Sequence, residues 1–249
     1  MKIVVIGGSG LIGRQLTAQL LEEGHEAVSA SPSSGVNALT GAGLTDVLSG
    51  ADVVVDVSNS PSFEDVAVLD FFERSGRNLA ASEREAGVKH HVALSIVGTD
   101  RLEGNGYFRA KVAQERLIKA SGIPFTIVRA TQFFEFVATI AQASIDGDRF
   151  VVPDAEFQPI AAADVAAVLT EIALAPPRNA TIEIAGPDRL PFRDFIARRN
   201  AADGDHREVL ADKAAHYFGA ALERGSLVPE HADAAQLGST RFEQWLAAG

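Results

Sequence analysis

The chain has 249 residues, a formal net charge of −11 and no cysteine. Disulfides, thiolate nucleophiles and thiolate metal sites are thereby excluded, and the acidic balance lacks the basic patch that nucleic acid or an anionic lipid surface requires. The length suits one α/β domain with a full core, no apolar run approaches membrane-spanning length, and the sequence opens directly on a strand-like run, so a cytoplasmic protein is expected.

KIVVIG (2–7) is a β-branched run of strand length and predicts a buried strand. It runs into Gly7, Gly10 and Gly13 at G-x-x-G-x-x-G spacing, and Gly8 completes G-x-G-x-x-G. Directly after a strand and opening a helix, such glycines permit a tight turn and close backbone approach, and the helix dipole meets a pyrophosphate. Ser9, Leu11 and Ile12 lie in the same turn and join the candidate dinucleotide contacts. The helix places Leu11, Ile12, Leu16, Leu20 and Leu21 on one face and is expected to end at Gly24. EAVSAS (26–31) predicts the second strand. At its end a dinucleotide fold carries an acid for a ribose 2′-hydroxyl or a base for a 2′-phosphate. Here stand Ser29, Ser31, Ser33 and Ser34, which hydrogen-bond either group, so NAD and NADP are both open. Arg14 reads either as a solvated helix residue or as a partner for a 2′-phosphate.

DVVVDV (52–57) is the third strand, with Asp52 a loop residue and Asp56 an anchor for the loop that follows. The amphipathic stretch 63–87 predicts a helix closing on Gly87. HVALSIV (91–97) puts Ser95 at the C-terminal end of a central strand, where open α/β sheets hold their ligands. His90 and His91 have no partner at ligand spacing, read as surface or satisfied-core histidines, and no metal site is expected. The next helix, 107–122, begins with Tyr107, and Lys111 lies one turn on, on the same face. A lysine ammonium favours the tyrosinate by its charge, and a serine hydroxyl can hold a carbonyl oxygen against the phenol. FTIVRA (125–130) is the fifth strand, ADVAAVLTEIALAPP (163–177) a helix for Asp164 to N-cap, and ATIEIAG (180–186) a further strand of the same sheet. The remainder reads as a small helical appendage ending in TRFEQWLAAG. This rhythm predicts a doubly wound parallel sheet in a single domain over 1–249, with substrate-binding elements mainly in 131–160 and 187–249. Arginine outnumbers lysine 17 to 5 and alanine is abundant, a bias expected of a GC-rich bacterial genome.

GGSGLIG, ADVVVDVSNS, LSIVGTD, YFRAK, GIPFTIVRATQFFE and QPIAAADVA, in this order from residue 1 to about 168, resemble the short-chain dehydrogenase/reductase superfamily in its atypical, NmrA-like branch. The resemblance implies a Rossmann core binding NAD or NADP, with Ser95, Tyr107 and Lys111 at the Ser…Tyr-x-x-x-Lys positions and Lys111 also on the nicotinamide ribose. It implies that Val57, Ser58 and Asn59 lie over the cofactor, that Ala130 and Thr131 pass the nicotinamide, and that Gln132, Phe133 and Phe134 enter the substrate pocket. Phe136 and Phe150 either line that pocket too or belong to the core. The implied activity is NAD(P)H-dependent reduction of a small carbonyl or quinone-type substrate, polycyclic aromatic ones included. Two departures matter: relatives that prefer NADP carry an arginine near Ser31, which is absent here, and members that sense the dinucleotide without turnover often lack the tyrosine, which is present. A non-catalytic redox sensor acting through a protein partner is the alternative, an epimerase or dehydratase a third reading, and the oligomeric state is open.

Overall fold

The computed structural model describes residues 1–102 and 104–248. Its first half alternates strand and helix: β1 (Lys2–Ile6), α1 (Leu11–Glu22), β2 (Glu26–Ala30), α2 (Leu44–Leu48), β3 (Val53–Asp56), α3 (Asp65–Ala86), β4 (His90–Ile96), α4 (Gly106–Ala120) and β5 (Phe125–Ala130). With Ala180–Ala185 and Gln236–Leu237 these strands form a seven-stranded parallel sheet, ordered β2-β1-β3-β4-β5 and then those two. In register, Val4 pairs with Val28 and Val54. Val4 and Val54 are fully buried, as expected of strands covered on both faces, whose sequences become continuous apolar runs. α3 closes on Gly87 in the left-handed conformation at φ 71°, which a side chain would disfavour.

From β1 the chain goes to β2 on one side and comes back to β3 on the other. This is the point in the sheet where the loops at the strand ends part and leave a crevice. β2 is the outer edge, and the chain beyond it makes a 3-10 turn at Pro32–Ser34, a bridge between Asn37 and Ala42 and the short α2 before β3. Among the described residues no helix is long and apolar enough to cross a membrane.

Two compact units share the chain. The first comprises Met1–Ser95, Gly106–Arg129 and Val165–Ile182, and the second Ile96–Asn105, Ala130–Asp164 and Glu183–Gly249. The first has an aliphatic core in which Val4, Ile6, Leu44, Leu48, Val54 and Leu79 cluster. The second is built on aromatic rings: Phe157 stacks on Phe192 at 4.4 Å between centroids, and Phe134 packs against Phe242 and Trp245. Its C-terminal stretch holds helices Phe192–Ala202 and Phe242–Ala248, as expected, and also short strands that the sequence did not announce. One of these, Val209–Asp212, pairs in parallel with Arg149–Pro153. That strand is held by a partner far along the chain, and the others are two residues long, so none leaves a local periodicity to read. Asp164 does not cap its helix. Its carboxylate accepts from Thr240 N at 2.9 Å and Thr240 Oγ1 at 3.0 Å, while Glu135 takes the free Ala162 N–H.

Candidate functional site

The chain leaves β1 through Gly7, at φ 81°, where a Cβ would lie 2.8 Å from Ser58 Cα. At Gly13 a Cβ would lie 2.3 Å from Gly7 O, so the turn and the start of α1 fit together only as bare backbone. Gly10 precedes α1 and offers no side chain to cap it, leaving the first N–H groups of the helix to an outside acceptor. Ser9 and Gly10 are exposed and Leu11 half-buried, while Ile12 and Gly13 turn inward. Val57 N–H is bonded to Ile6 O at 2.9 Å, which lays the Val57–Asn59 loop beside the glycine turn. Ser58 Oγ is buried there with no hydrogen-bond partner among the described residues. A cradle that a Cβ would fill, uncapped helix N–H groups and an orphaned hydroxyl are a donor set that fits a dinucleotide pyrophosphate.

The serines after β2 satisfy one another. Ser31 N donates to Ser34 Oγ at 3.0 Å, Ser31 Oγ and Ser33 Oγ share a bond of 2.8 Å, and Ser34 Oγ returns to Ser31 O at 3.0 Å. The knot carries no charge of either sign, and Arg14 is exposed on α1.

α4 presents the tyrosine and the lysine. The half-buried Tyr107 donates its hydroxyl hydrogen to Asn59 Oδ1 at 2.8 Å, and the same oxygen accepts Ser60 N–H at 2.9 Å. Burial pushes the phenol up to about 12, with the Asn59 bond pulling the other way, so it stands as a protonated acid. Lys111 is 3% exposed; its Nζ donates to Leu94 O at 2.8 Å and to Gln114 Oε1, and lies 4.5 Å from the centre of the Phe72 ring. Burial pushes this ammonium down to about 8, against the opposing pull of Asp56 and Glu115. The expected promotion of the tyrosinate by Lys111 is therefore not what governs the phenol: burial does.

Ser95, expected to hold a substrate oxygen, instead donates to Glu115 Oε1 at 2.7 Å and is 3% exposed. Glu115 is gripped by Arg129 through Nε at 2.9 Å and Nη2 at 2.8 Å, so the serine completes a buried clamp across β4, α4 and β5. A hydroxyl on a covered strand face must find an internal partner, and this one has. Structurally, Tyr107 and Asn59 meet at one loop–helix contact, Lys111 one turn on is bonded to Leu94 O and Gln114 Oε1, and Ser95 belongs to the Glu115–Arg129 clamp.

In the second unit Ala130 is buried, and Thr131 donates its N–H to Ile184 O at 3.1 Å while Thr131 Oγ1 and Gln132 Oε1 are buried without partners among the described residues. Phe133 stacks on the half-exposed Phe136 at 5.7 Å. Phe134, expected to face a substrate, is 1% exposed and is part of the aromatic core, and the fully buried Phe150 lies beneath the Arg207 guanidinium. Sequence reasoning missed two residues of the first unit. Phe63 is 69% exposed with its ring 5.5 Å from that of Tyr107, and Gln114 bridges Lys111 to Asp56. An i, i+3 spacing from Lys111 was the one available signal for Gln114. His91 and His90 are core residues, bonded to Glu83 at 2.8 Å and Thr126 at 2.9 Å.

Comparison with known proteins bears on the fold and the cofactor family. Photosystem II assembly factor Ycf39 of Cyanophora paradoxa is 24% identical over 149 residues, which cover 54% of this chain and 46% of that protein. The chain thus spans about half the length of the curated relatives it matches. Among solved structures, an NADPH-dependent quinone oxidoreductase of Escherichia coli superimposes with TM-score 0.75 at 16% identity, covering 99% of this chain and 98% of that one. A dTDP-4-dehydrorhamnose reductase of Bacillus anthracis in complex with NADP also gives 0.75 at 17% identity, covering 100% and 97%. At such identities the likeness carries the fold. Residues 7–176, which include the glycine turn, the Val57–Asn59 loop and all of α4, match the NAD(P)H-binding family, and the chain belongs to it.

Proposed function

We propose that this protein is an NAD(P)H-dependent oxidoreductase of the atypical short-chain dehydrogenase/reductase type, reducing a small carbonyl or quinone-type substrate with an aromatic ring. The observation that carries this reading is the Tyr107 phenol, protonated and bonded to Asn59 in the loop beside the glycine cradle. When bound, the dinucleotide supplies a hydride. Gly7, Ser9, Gly10, Leu11 and Gly13 form the turn that takes its pyrophosphate, with Ile12 packed beneath, and Ser58 offers it a hydroxyl. Tyr107 leaves Asn59 and gives its proton to the substrate oxygen, and a solvent proton restores it. Lys111, one turn along α4 from the tyrosine, would hold the nicotinamide ribose with its ammonium, and Ser95 acts through Glu115 to keep α4 against β4. Ser31, Ser33 and Ser34 accept either cofactor. The exposed Phe63 ring is a stacking face for the substrate.

Tyr107→Phe is expected to lower kcat about 10²- to 10⁴-fold with aromatic ketones or quinones while leaving NADH and NADPH affinity within about twofold. Steady-state kinetics beside calorimetry measure both, and unchanged turnover removes Tyr107 from the mechanism. A second reading, a redox sensor with a protein partner, draws on the bonds of the Lys111 ammonium to Leu94 O and Gln114 Oε1, which take two of its three donors. It predicts discrimination between oxidised and reduced cofactor with no NAD(P)H consumed by any such substrate. Net NAD(P)H oxidation rules out both the sensor and an epimerase or dehydratase.

A further inference from the structure

Lys111 stands at the end of a buried line of hydrogen bonds. Asp56, the last residue of β3, accepts Ser58 N–H on Oδ1 at 2.9 Å and Gln114 Nε2 on Oδ2 at 2.9 Å. Gln114 in turn accepts the Lys111 ammonium on Oε1. Asp56, Gln114 and Lys111 are all buried. The line starts in the loop that carries Ser58 and Asn59 and ends on the helix that carries Tyr107. Its middle member has to donate to a carboxylate and accept from an ammonium while staying neutral, and a side-chain amide does both. A carboxylate at 114 would face Asp56, and an amine would face Lys111.

We infer that Gln114 is a positioning residue that couples the Asp56 carboxylate to the Lys111 ammonium, so that the charge on Lys111 depends on the loop after β3. This deepens the proposed reaction and rests on it only where turnover is the readout. The groups around Lys111 support the assignment. From β3 comes Asp56; α4 itself contributes Glu115, with Tyr107 one turn earlier on the same helix; β4 offers the Leu94 carbonyl, and α3 the Phe72 ring. Farther off, Asp56 and Gln114 line a cavity of about 10 Å³ together with the paired Glu83 and His91, which are both buried. Asp56 is thus the carboxylate that reaches the ammonium through a hydrogen-bonded side chain of another residue.

The test exchanges the two side-chain types. Asp56→Asn combined with Gln114→Glu preserves a donor or acceptor at every link and moves the negative charge one step, into direct contact with Lys111. In protein labelled with ¹³C only in lysine, the Cε signal of Lys111, one of five lysines and identified by its loss in Lys111→Arg, reports its ionisation. The exchange is expected to raise the Lys111 titration midpoint by about one pH unit or more, because an opposite charge in contact favours the ammonium. Asp56→Asn alone, nearly isosteric, is expected to lower the midpoint, and it carries the test if the double variant does not fold. A midpoint that stays in place in the folded variants overturns the coupling. The alkaline limb of kcat/KM should move with the NMR midpoint; an NMR shift without that movement counts against the proposed reaction and leaves the coupling standing.

Discussion

At position 63 a phenyl ring stands largely in water beside a phenol that is half-buried. Exposed aromatic area of this kind is stabilised by another ring, and such pairs contribute about 0.5–1.5 kcal/mol beyond area burial. Phe63→Ala is accordingly expected to raise KM for a two-ring quinone about 3- to 10-fold, with KM for a small aliphatic ketone and the cofactor Kd unchanged. Equal effects on both substrates would take Phe63 out of recognition. The placement of Tyr107 and Lys111 one turn apart on α4 was legible because about four residues make one helical turn, a fact local to that helix. The engagement of Ser95 with Glu115, and of Gln114 with Asp56 across 58 residues, was not. Those bonds exist only once β3, β4 and α4 are packed, and a lone serine or glutamine in a sequence announces neither partner. Phe134 misled for a related reason: aromatic residues serve cores and pockets alike, and composition does not separate them.

Along a single strand, β4 carries two adjacent histidines whose environments oppose each other. His91 is buried, which disfavours its charge, but the Glu83 carboxylate outweighs that and holds its pKa above the ordinary value. Burial, helped by the neighbouring His91 charge, depresses His90 to about 4. The stabilisation from His91 is complete below the unfolded pKa of about 6.5 and is lost as pH rises through the folded value. Between about 6.5 and 4 the unfolded chain binds a proton at His90 that the native state refuses, so stability also declines on the acid side. Urea unfolding across this range is expected to show a maximum near about pH 6.5 from this pair. Glu83→Gln should flatten the alkaline decline, because His91 then has burial without its carboxylate partner; an unaltered alkaline decline would assign it elsewhere. The elements themselves were readable where burial on both faces forces an apolar run, as in β1 and β3, and where a glycine marks a helix end, as at Gly87. They were unreadable in 145–157 and 209–221, where strands of two to five residues are too short to show a period, and some, such as Val209–Asp212, depend on a distant partner.

For the molecule as a whole, the formal charge of −11 sets the long-range field that an anionic dinucleotide meets. Exposed charges beyond a Debye length of about 10 Å are screened at about 0.1 M salt. Cofactor association measured by stopped flow is therefore expected to quicken as salt rises from about 10 to 100 mM. A rate that falls with salt would instead reveal a positive local field at the glycine turn strong enough to override the total. A final consequence concerns inheritance. Each compact unit is assembled from three separate stretches of chain, interleaved with those of the other. Neither is a continuous cassette, so recombination cannot graft a new second unit onto this nucleotide-binding core by joining one stretch of gene to another. New specificities must arise in place, by substitution and by lengthening of loops, with every intermediate obliged to keep the same sheet intact.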